Sequence, residues 1–120
     1  MAPRAPIKDL DKFREQFVRW TLRRASFRWP ARSEALRLAR VSRGTYKCAN
    51  CEGLFGNKET KLDHIEPVVS ITQQGIDYEA FIKRLLCPAS GLQVLCRECH
   101  DIKTKGENDA RREYRKRIKE

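Results

Sequence analysis

The sequence is poor in long apolar runs and has only two histidines. No apolar run approaches the roughly 20 residues that a membrane-spanning helix needs. The first residues, MAPRAPIKDLDKF, form no apolar signal core, and internal repeats and low-complexity tracts are lacking. These absences argue against a membrane protein and a secreted protein. They predict a cytoplasmic chain of 120 residues that folds as one domain with a modest core.

Basic residues are concentrated at the two ends of the chain. Residues 1–47 hold 13 Lys and Arg against four Asp and Glu, a net charge of +9. Residues 48–100 have a net charge of −2, and residues 101–120 one of +3. A single arginine of this kind is most simply a solvated helix residue. Ten arginines within 47 residues, however, predict a polyanionic partner, and nucleic acid is the commonest one.

The apolar spacing predicts an α+β fold that begins with two basic helices. Helical spacing between residues 9 and 27 is set by Leu10, Phe13, Phe17 and Trp20. The residue before a proline avoids helical conformation, and proline suits a first helical turn, so a second helix is predicted from Pro30. Gly44 is its predicted stop.

The pattern then changes to short β-type runs. TYKCANCEGLF and TKLDHIEPVV are separated by GNKE, which has turn chemistry, so residues 45–71 are predicted to form a hairpin. DYEAFIKRLLC at 77–87 predicts a helix that is capped by Asp77. A short apolar run, LQVLC, follows it. Thr104 and Glu107 fit a capping box, which predicts that a last helix begins there.

Four of the five cysteines form two C-x-x-C pairs. The pairs are Cys48 with Cys51 and Cys96 with Cys99, and 44 residues separate them. Four thiolates complete the tetrahedral shell of a structural zinc and leave no position open for catalysis. A thiol oxidoreductase is an alternative, but it would leave the second pair unexplained. Cys87 is predicted to be a small core residue.

Both histidines lie beside groups that can bind metals. Asp63 precedes His64 in a predicted strand, so one of the two must face the packed side, where a carboxylate is costly unless a donor or a cation meets it. His100 follows a zinc cysteine, which would bring it near this strand. Such a group in a basic protein predicts a metal-dependent phosphodiester hydrolase, because a cation polarises phosphate and an imidazole can activate water.

The motifs CANC, LDHIEPV and LQVLCRECHDIKT, in this order, resemble the HNH endonuclease family, which has a ββα-metal core. The upstream RASFRWPARSEALRLARVSRGTYKC is similar to the form found in tailed bacteriophages, and the resemblance covers roughly residues 22 to 107. It implies that His64 is the general base and that Asp63 and His100 bind Mg²⁺, Mn²⁺ or another divalent cation. It also implies DNA as the substrate, phage terminase or packaging proteins as partners, and the host cytoplasm as the location.

Three segments are therefore predicted within one compact domain. They are a basic helical extension at 1–44, a zinc-stabilised HNH core at 45–107 and a basic C-terminal helix at 108–120. Lys103 lies about one turn after His100 and is a candidate phosphate contact. Further predicted DNA contacts are Arg19, Arg23, Arg24 and Arg28.

Gly91 departs from the family pattern, because an asparagine usually precedes the LQVLC-type run. That asparagine orients the base histidine or supports its loop, and glycine has no side chain for either task. Ser90 or a backbone carbonyl could replace it, or catalysis is weak. The alternative function is thus a zinc-stabilised DNA-binding or packaging-accessory protein. Glu66 is a candidate outer carboxylate near the cation.

Overall fold

The computed structural model describes residues 8–69 and 76–119. The start of the predicted 1–44 extension and the end of the predicted 45–71 hairpin lie outside these residues. The elements in chain order are α1 (Leu10–Ser26), α2 (Pro30–Ala39), β1 (Arg40–Ser42), β2 (Thr45–Lys47), β3 (Leu54–Gly56), β4 (Thr60–His64), α3 (Tyr78–Leu85), β5 (Leu92–Cys96) and α4 (Arg97–Lys119). The predicted α+β class is confirmed.

The first helix has the predicted extent, but its apolar stripe faces solvent. Exposed side chains along α1 include Leu10, Phe13, Phe17 and Trp20. The helix contacts the core through Leu22, which packs on a cluster containing Phe81 and Leu85. Ser26 at its end is buried, and its hydroxyl donates to the Arg23 carbonyl at 2.6 Å. The C-terminal half of α1 therefore belongs to the packed domain.

The second helix is shorter than predicted. It begins at Pro30 as expected but ends at Ala39, and the chain continues at once into β1. Gly44 does not stop a helix; it lies in the turn between β1 and β2 with a φ of 73°. Glycine adopts this left-handed conformation without a Cβ penalty, so the same residue type that ends helices here makes a tight hairpin turn.

The strand pairing differs from the predicted hairpin. The two runs that were expected to pair lie in different sheets, and GNKE contributes a 3-10 turn at Asn57–Glu59. One sheet has the antiparallel order β1-β2-β3, and the other consists of β4 and β5. The second ladder aligns Thr60 with Cys96 at one end and His64 with Leu92 at the other. The strand that carries Asp63 is thus fixed by the strand that leads into the second cysteine pair.

The last helix is continuous from Arg97 to Lys119. The predicted start at Thr104 is wrong, and the expected segment boundary after residue 107 falls inside α4. The capping-box spacing is present, but the helix has already begun at the second cysteine pair. The backbone N–H of Thr104 therefore lies inside the helix and does not need a cap. Among the described helices, none combines the length and the apolar character that crossing a bilayer requires.

The buried side chains of the described residues include two small clusters. One contains Cys48, Leu95, Cys96 and Cys99, with Phe55 packed against it. The other contains Val68, Phe81 and Leu85, with Leu22 and Val69 among its partners. Four of the five β5 residues are buried, and the strand contacts α2 and α4 as well as β4.

Candidate functional site

The two cysteine pairs form one cluster. Cys48 follows β2 and Cys51 precedes β3, whereas Cys96 ends β5 and Cys99 lies in the first turn of α4. The four Sγ atoms lie within 4.8 Å of one another and could hold a metal ion. The cluster joins the three-stranded sheet to the β5–α4 junction. It also makes Cys87 the odd cysteine, half-buried and free.

Hydrogen bonds within the chain position both cysteine pairs. Ala49 donates its N–H to the Val94 carbonyl at 2.8 Å, which ties the first pair to β5. The Asn50 amide donates to Cys99 Sγ at 3.4 Å, and the Cys99 N–H donates to Cys96 Sγ at 3.5 Å. These donors hold the sulfur atoms of both pairs in position beside β5.

The thiols of the cluster have different acidities. Burial raises the pKa of Cys48, but N–H groups of Cys51, Cys96 and Asn50 outweigh it and lower this pKa to about 6. The Gly53 N–H lowers the pKa of Cys51, yet the Cys48 side chain and burial outweigh that donor and raise it. Cys48 thus ionises readily near neutral pH, and a bound cation would favour the thiolate form of its sulfur ligands.

The side chain of Asp63, on β4, contacts side chains of both β5 and α4. The β4–β5 register places it opposite Gln93, whose amide donates to Asp63 Oδ2 at 3.2 Å. His100 Nε2 lies 3.9 Å from the other carboxylate oxygen, Oδ1. The structure therefore brings together Asp63 and His100, which the sequence separates by 37 positions. The side chain of Asp63 is only 16% exposed, so most of its contacts are with protein groups.

Lys103 is the cation that meets Asp63 in this structure. Its Nζ lies 3.0 Å from Asp63 Oδ2, contacts the Glu107 carboxylate and donates to the His64 carbonyl at 3.1 Å. Burial lowers the pKa of Lys103, but its hydrogen bonds to Glu107 and Asp63 outweigh burial and raise it. Sequence reasoning did not identify Glu107 as a member of the site. Its i,i+4 spacing from Lys103 was the signal that could have found it.

The His64 ring packs towards α3. Its Nε2 lies 2.9 Å from the Leu85 carbonyl oxygen. A carbonyl only accepts, so Nε2 carries a proton and the neutral ring has its lone pair on Nδ1. Asp63 and His64 thus contact different elements, as neighbouring strand residues should.

The backbone at Gly91 supports the end of β4. The Gly91 carbonyl accepts the Ile65 N–H at 3.0 Å, immediately after His64. A Cβ at position 91 would lie 2.9 Å from Cys87 Sγ and 3.2 Å from Cys87 Cβ. Glycine is therefore required here by close packing. Ser90, which was considered as a replacement for the missing asparagine, is exposed.

The remaining predicted residues lie farther out. Glu66 is 73% exposed and lies 4.0 Å from an Arg84 Nη atom. Arg24 and Arg28 are exposed, whereas the Arg19 side chain is only 32% exposed and lies 3.4 Å from Glu15. A cavity of about 320 Å³ opens beside the cysteine cluster and the Asp63 site, and Asn50, Gln93, Cys99 and Lys103 are part of its lining.

Comparison with known proteins does not assign the chain to a family. No protein-family model, curated protein or solved structure matches it significantly. The function must therefore be inferred from the site's own residues and geometry.

Proposed function

We propose that this chain is a metal-dependent HNH endonuclease that hydrolyses DNA phosphodiester bonds and nicks one strand at a time. The observation that carries the proposal is the 3.9 Å separation of His100 Nε2 and Asp63 Oδ1 on a strand–strand–helix unit. That unit is β4, β5 and α4, and a four-cysteine cluster lies at its β5–α4 junction. The strongly basic composition supports DNA as the partner.

Zinc is the ion that suits the cysteine cluster. Four thiolates favour Zn²⁺, and a tetrahedral Zn–S distance of about 2.3 Å puts the sulfurs roughly 3.8 Å apart. Cys51 Sγ and Cys96 Sγ already lie 3.9 Å apart. The convergence of all four thiols favours a metal site over a redox dithiol. The proposed zinc is structural, because the thiolates fill its shell.

The Asp63–His100 pair fits a second, catalytic cation such as Mg²⁺ or Mn²⁺. An octahedral ion with bonds of about 2.1 Å holds neighbouring ligand atoms roughly 3.0 Å apart. The observed separation is 3.9 Å, so the two side chains would move closer together around the ion. When bound, such an ion would stabilise negative charge on the phosphate and on the leaving oxygen. Oδ1 is its proposed ligand atom, because Oδ2 already accepts from Lys103 and Gln93.

His64 is the proposed general base. Its Nδ1 takes a proton from water, the water oxygen forms a bond to phosphorus, and the phosphorus bond to the leaving oxygen breaks. The Leu85 carbonyl holds the ring in the tautomer that this step needs. The Gly91 carbonyl fixes the backbone beyond it, so two carbonyls share the task expected of the family asparagine.

An accessory DNA-binding protein is the second candidate. The contact between the Lys103 ammonium and Asp63 favours it, because a carboxylate that is already neutralised has less attraction for a divalent cation. In that case the cysteine cluster and the basic surface would suffice for function. An association with phage packaging proteins stays a prediction from the resemblance in either case.

A plasmid-nicking assay separates the two candidates. Supercoiled DNA is incubated with wild-type protein and either Mg²⁺ or Mn²⁺, and open-circle product is measured over time. We expect nicking by the wild type and a loss of about 10²- to 10⁴-fold in His64→Ala, the typical contribution of a general base. The variant should keep its zinc and its DNA affinity, since the His64 ring contacts neither the cysteine cluster nor α1 through a described hydrogen bond.

The accessory function would replace the nuclease proposal under one result. Wild-type protein would bind DNA with normal zinc content yet produce no open circle with Mg²⁺, Mn²⁺, Co²⁺ or Ni²⁺. A contaminating nuclease would be recognised by equal nicking in wild type and His64→Ala.

A further inference from the structure

Three arginines from opposite ends of the chain meet on one surface. Leu22 of α1 and Val69 pack against the same core cluster. The Arg111 guanidinium, on α4, donates to the Val69 carbonyl at 3.0 Å. The C-terminal half of α1 and the middle of α4 therefore border the same core region, although 88 positions separate Arg23 from Arg111.

Of these three arginines, Arg19 alone has a carboxylate partner among the described residues. Burial lowers the pKa of Arg23, and the nearby charges of Arg19 and Arg111 lower it further. Within the described ranges, the acidic partner of Arg19 is Glu15 at 3.4 Å, and Arg19 Nε is buried without a hydrogen-bond acceptor. Like charges held together are unfavourable unless an anion joins them. Guanidinium charges that are grouped together without carboxylates of their own are a usual feature of a phosphate site.

We infer that Arg19, Arg23 and Arg111 form a binding site for a phosphate of the DNA backbone. The inference rests on DNA as the proposed partner and is independent of cleavage. Arg111 was not among the DNA contacts expected from the sequence. It is the residue that turns two α1 arginines into a three-sided site.

The site lies on the same face of α4 as the proposed catalytic residues. Arg111 lies eleven positions after His100, which is about 16 Å along a helix and about 20° from an exact number of turns. A DNA duplex advances about 3.4 Å per nucleotide along its axis. The arginine site would therefore hold a phosphate several nucleotides away from the one near His100. Two separated anchors would align the strand along α4.

The test compares two neighbouring arginines. Arg111→Gln removes a member of the site, and Arg112→Gln removes the same charge from a 71% exposed side chain that lies 3.8 Å from Asp109. Affinity for a random-sequence 20-base-pair duplex is measured in EDTA over a series of NaCl concentrations. We expect about tenfold weaker binding for Arg111→Gln at low salt. The slope of log affinity against log salt should fall by about 0.9, the value for one lost phosphate contact.

Arg23→Gln guards against loss of fold. Arg111 also holds the Val69 carbonyl, so its substitution could loosen the core. Removing Arg23 relieves repulsion, so its melting temperature should be unchanged or higher while DNA affinity falls about as far. The double variant should bind no more than about twofold more weakly than either single variant, because both arginines serve one phosphate. Truncation of the N-terminal segment is not a substitute, since Leu22 and Ser26 pack into the domain.

Several results would overturn the inference. Equal losses for Arg111→Gln and Arg112→Gln would show that net charge alone matters. Stabilisation of the wild type by free phosphate, with undiminished DNA affinity in Arg23→Gln, would assign the site to a small anion. By contrast, a protein that fails to nick DNA but shows the expected affinity losses would contradict the nuclease proposal and support the arginine site.

Discussion

Lys103 Nζ lies 3.0 Å from Asp63 Oδ2, so an internal ammonium neutralises the carboxylate that is proposed to bind a catalytic cation. Gln93 donates to the same oxygen at 3.2 Å, which leaves Oδ1 facing His100. The two oxygens of one carboxylate therefore have separate partners. Lys103 and a divalent cation would both be attracted to Asp63, and their like charges would repel each other across it.

Replacing Lys103 with methionine should strengthen binding of Mn²⁺. The variant keeps the apolar stem but removes the competing ammonium, so we expect roughly tenfold tighter Mn²⁺ binding, corresponding to about 1.4 kcal/mol. Calorimetric titration of the zinc-loaded protein measures it. Lys105→Met is the matched control, because Lys105 is exposed on the same helix.

The same variant also tests the link between Lys103 and the phosphate. At saturating Mn²⁺, we expect Lys103→Met to nick DNA more slowly than wild type. In the wild type, the bound cation would release the Lys103 ammonium from Asp63, and the ammonium would then contact the substrate phosphate. Unchanged Mn²⁺ affinity in Lys103→Met would mean that Asp63 does not bind the cation. Equal changes in Lys103→Met and Lys105→Met would point to net charge.

Substitution of Gly91 should destabilise the domain, although the HNH endonucleases that its motifs resemble carry asparagine at this position. A Cβ would lie 2.9 Å from Cys87 Sγ. Cys87 cannot withdraw easily, because its carbonyl accepts the Trp29 indole N–H at 2.7 Å. We expect Gly91→Ala to lower the free energy of unfolding by about 1–3 kcal/mol, the usual cost of overpacking. Gly91→Asn should therefore reduce nicking. Urea denaturation and the nicking assay provide the two measurements.

A double variant identifies the clash as the cause. Cys87→Ala removes the sulfur that lies nearest to the added Cβ, so Gly91→Ala should cost less in that background than in wild type. Additive free energies would show that the two positions do not interact. A gain of nicking in Gly91→Asn would instead mean that the glycine is a defect of the site.

Local signals predicted the elements whose ends are set by their own residues. Asp77 caps α3, with its carboxylate 3.1 Å from the Ala80 N–H, and the helical spacing of α1 gave its extent. The predictions were wrong where contacts with residues distant in sequence determine the ends of an element. Thr104 lies inside α4 because the helix starts at the cysteine cluster. Gly106 does not interrupt α4, since one glycine costs a helix only about 1 kcal/mol.

Pairing and surface placement could not be predicted by the same means. A strand pattern states which residues share a face but not which strand lies alongside, so nothing local pairs β4 with β5 rather than with the first cysteine run. The motifs indicated that Asp63 and His100 would meet. The contact of Lys103 with Asp63, and of Arg111 with Val69, depends on the direction of α4, which is fixed by tertiary packing.

Removing the ion from the cysteine cluster should unfold the domain. The two core clusters are small, and the four thiols join the three-stranded sheet to the β5–α4 junction. We expect one zinc per chain by elemental analysis, and loss of the cooperative thermal transition after chelation. Cys51→Ser should have the same effect. Cys87→Ser is the control and should cost far less, since Cys87 lies outside the cluster.

Acid should release the same ion. The pKa of Cys48 is lowered to about 6, so folding favours its thiolate. A lowered pKa contributes stability at higher pH, and that contribution is lost as the pH falls through the folded-state value. Protons also compete with the ion for all four sulfurs. Zinc released to a chromogenic chelator should therefore rise on acidification, and at a pH below the metal-free value of about 6, because the bound cation lowers the pKa of its thiolate ligands further. Two results would contradict the structural-zinc proposal. One is a folded chain that contains no zinc, and the other is a melting temperature that neither a chelator nor acid changes.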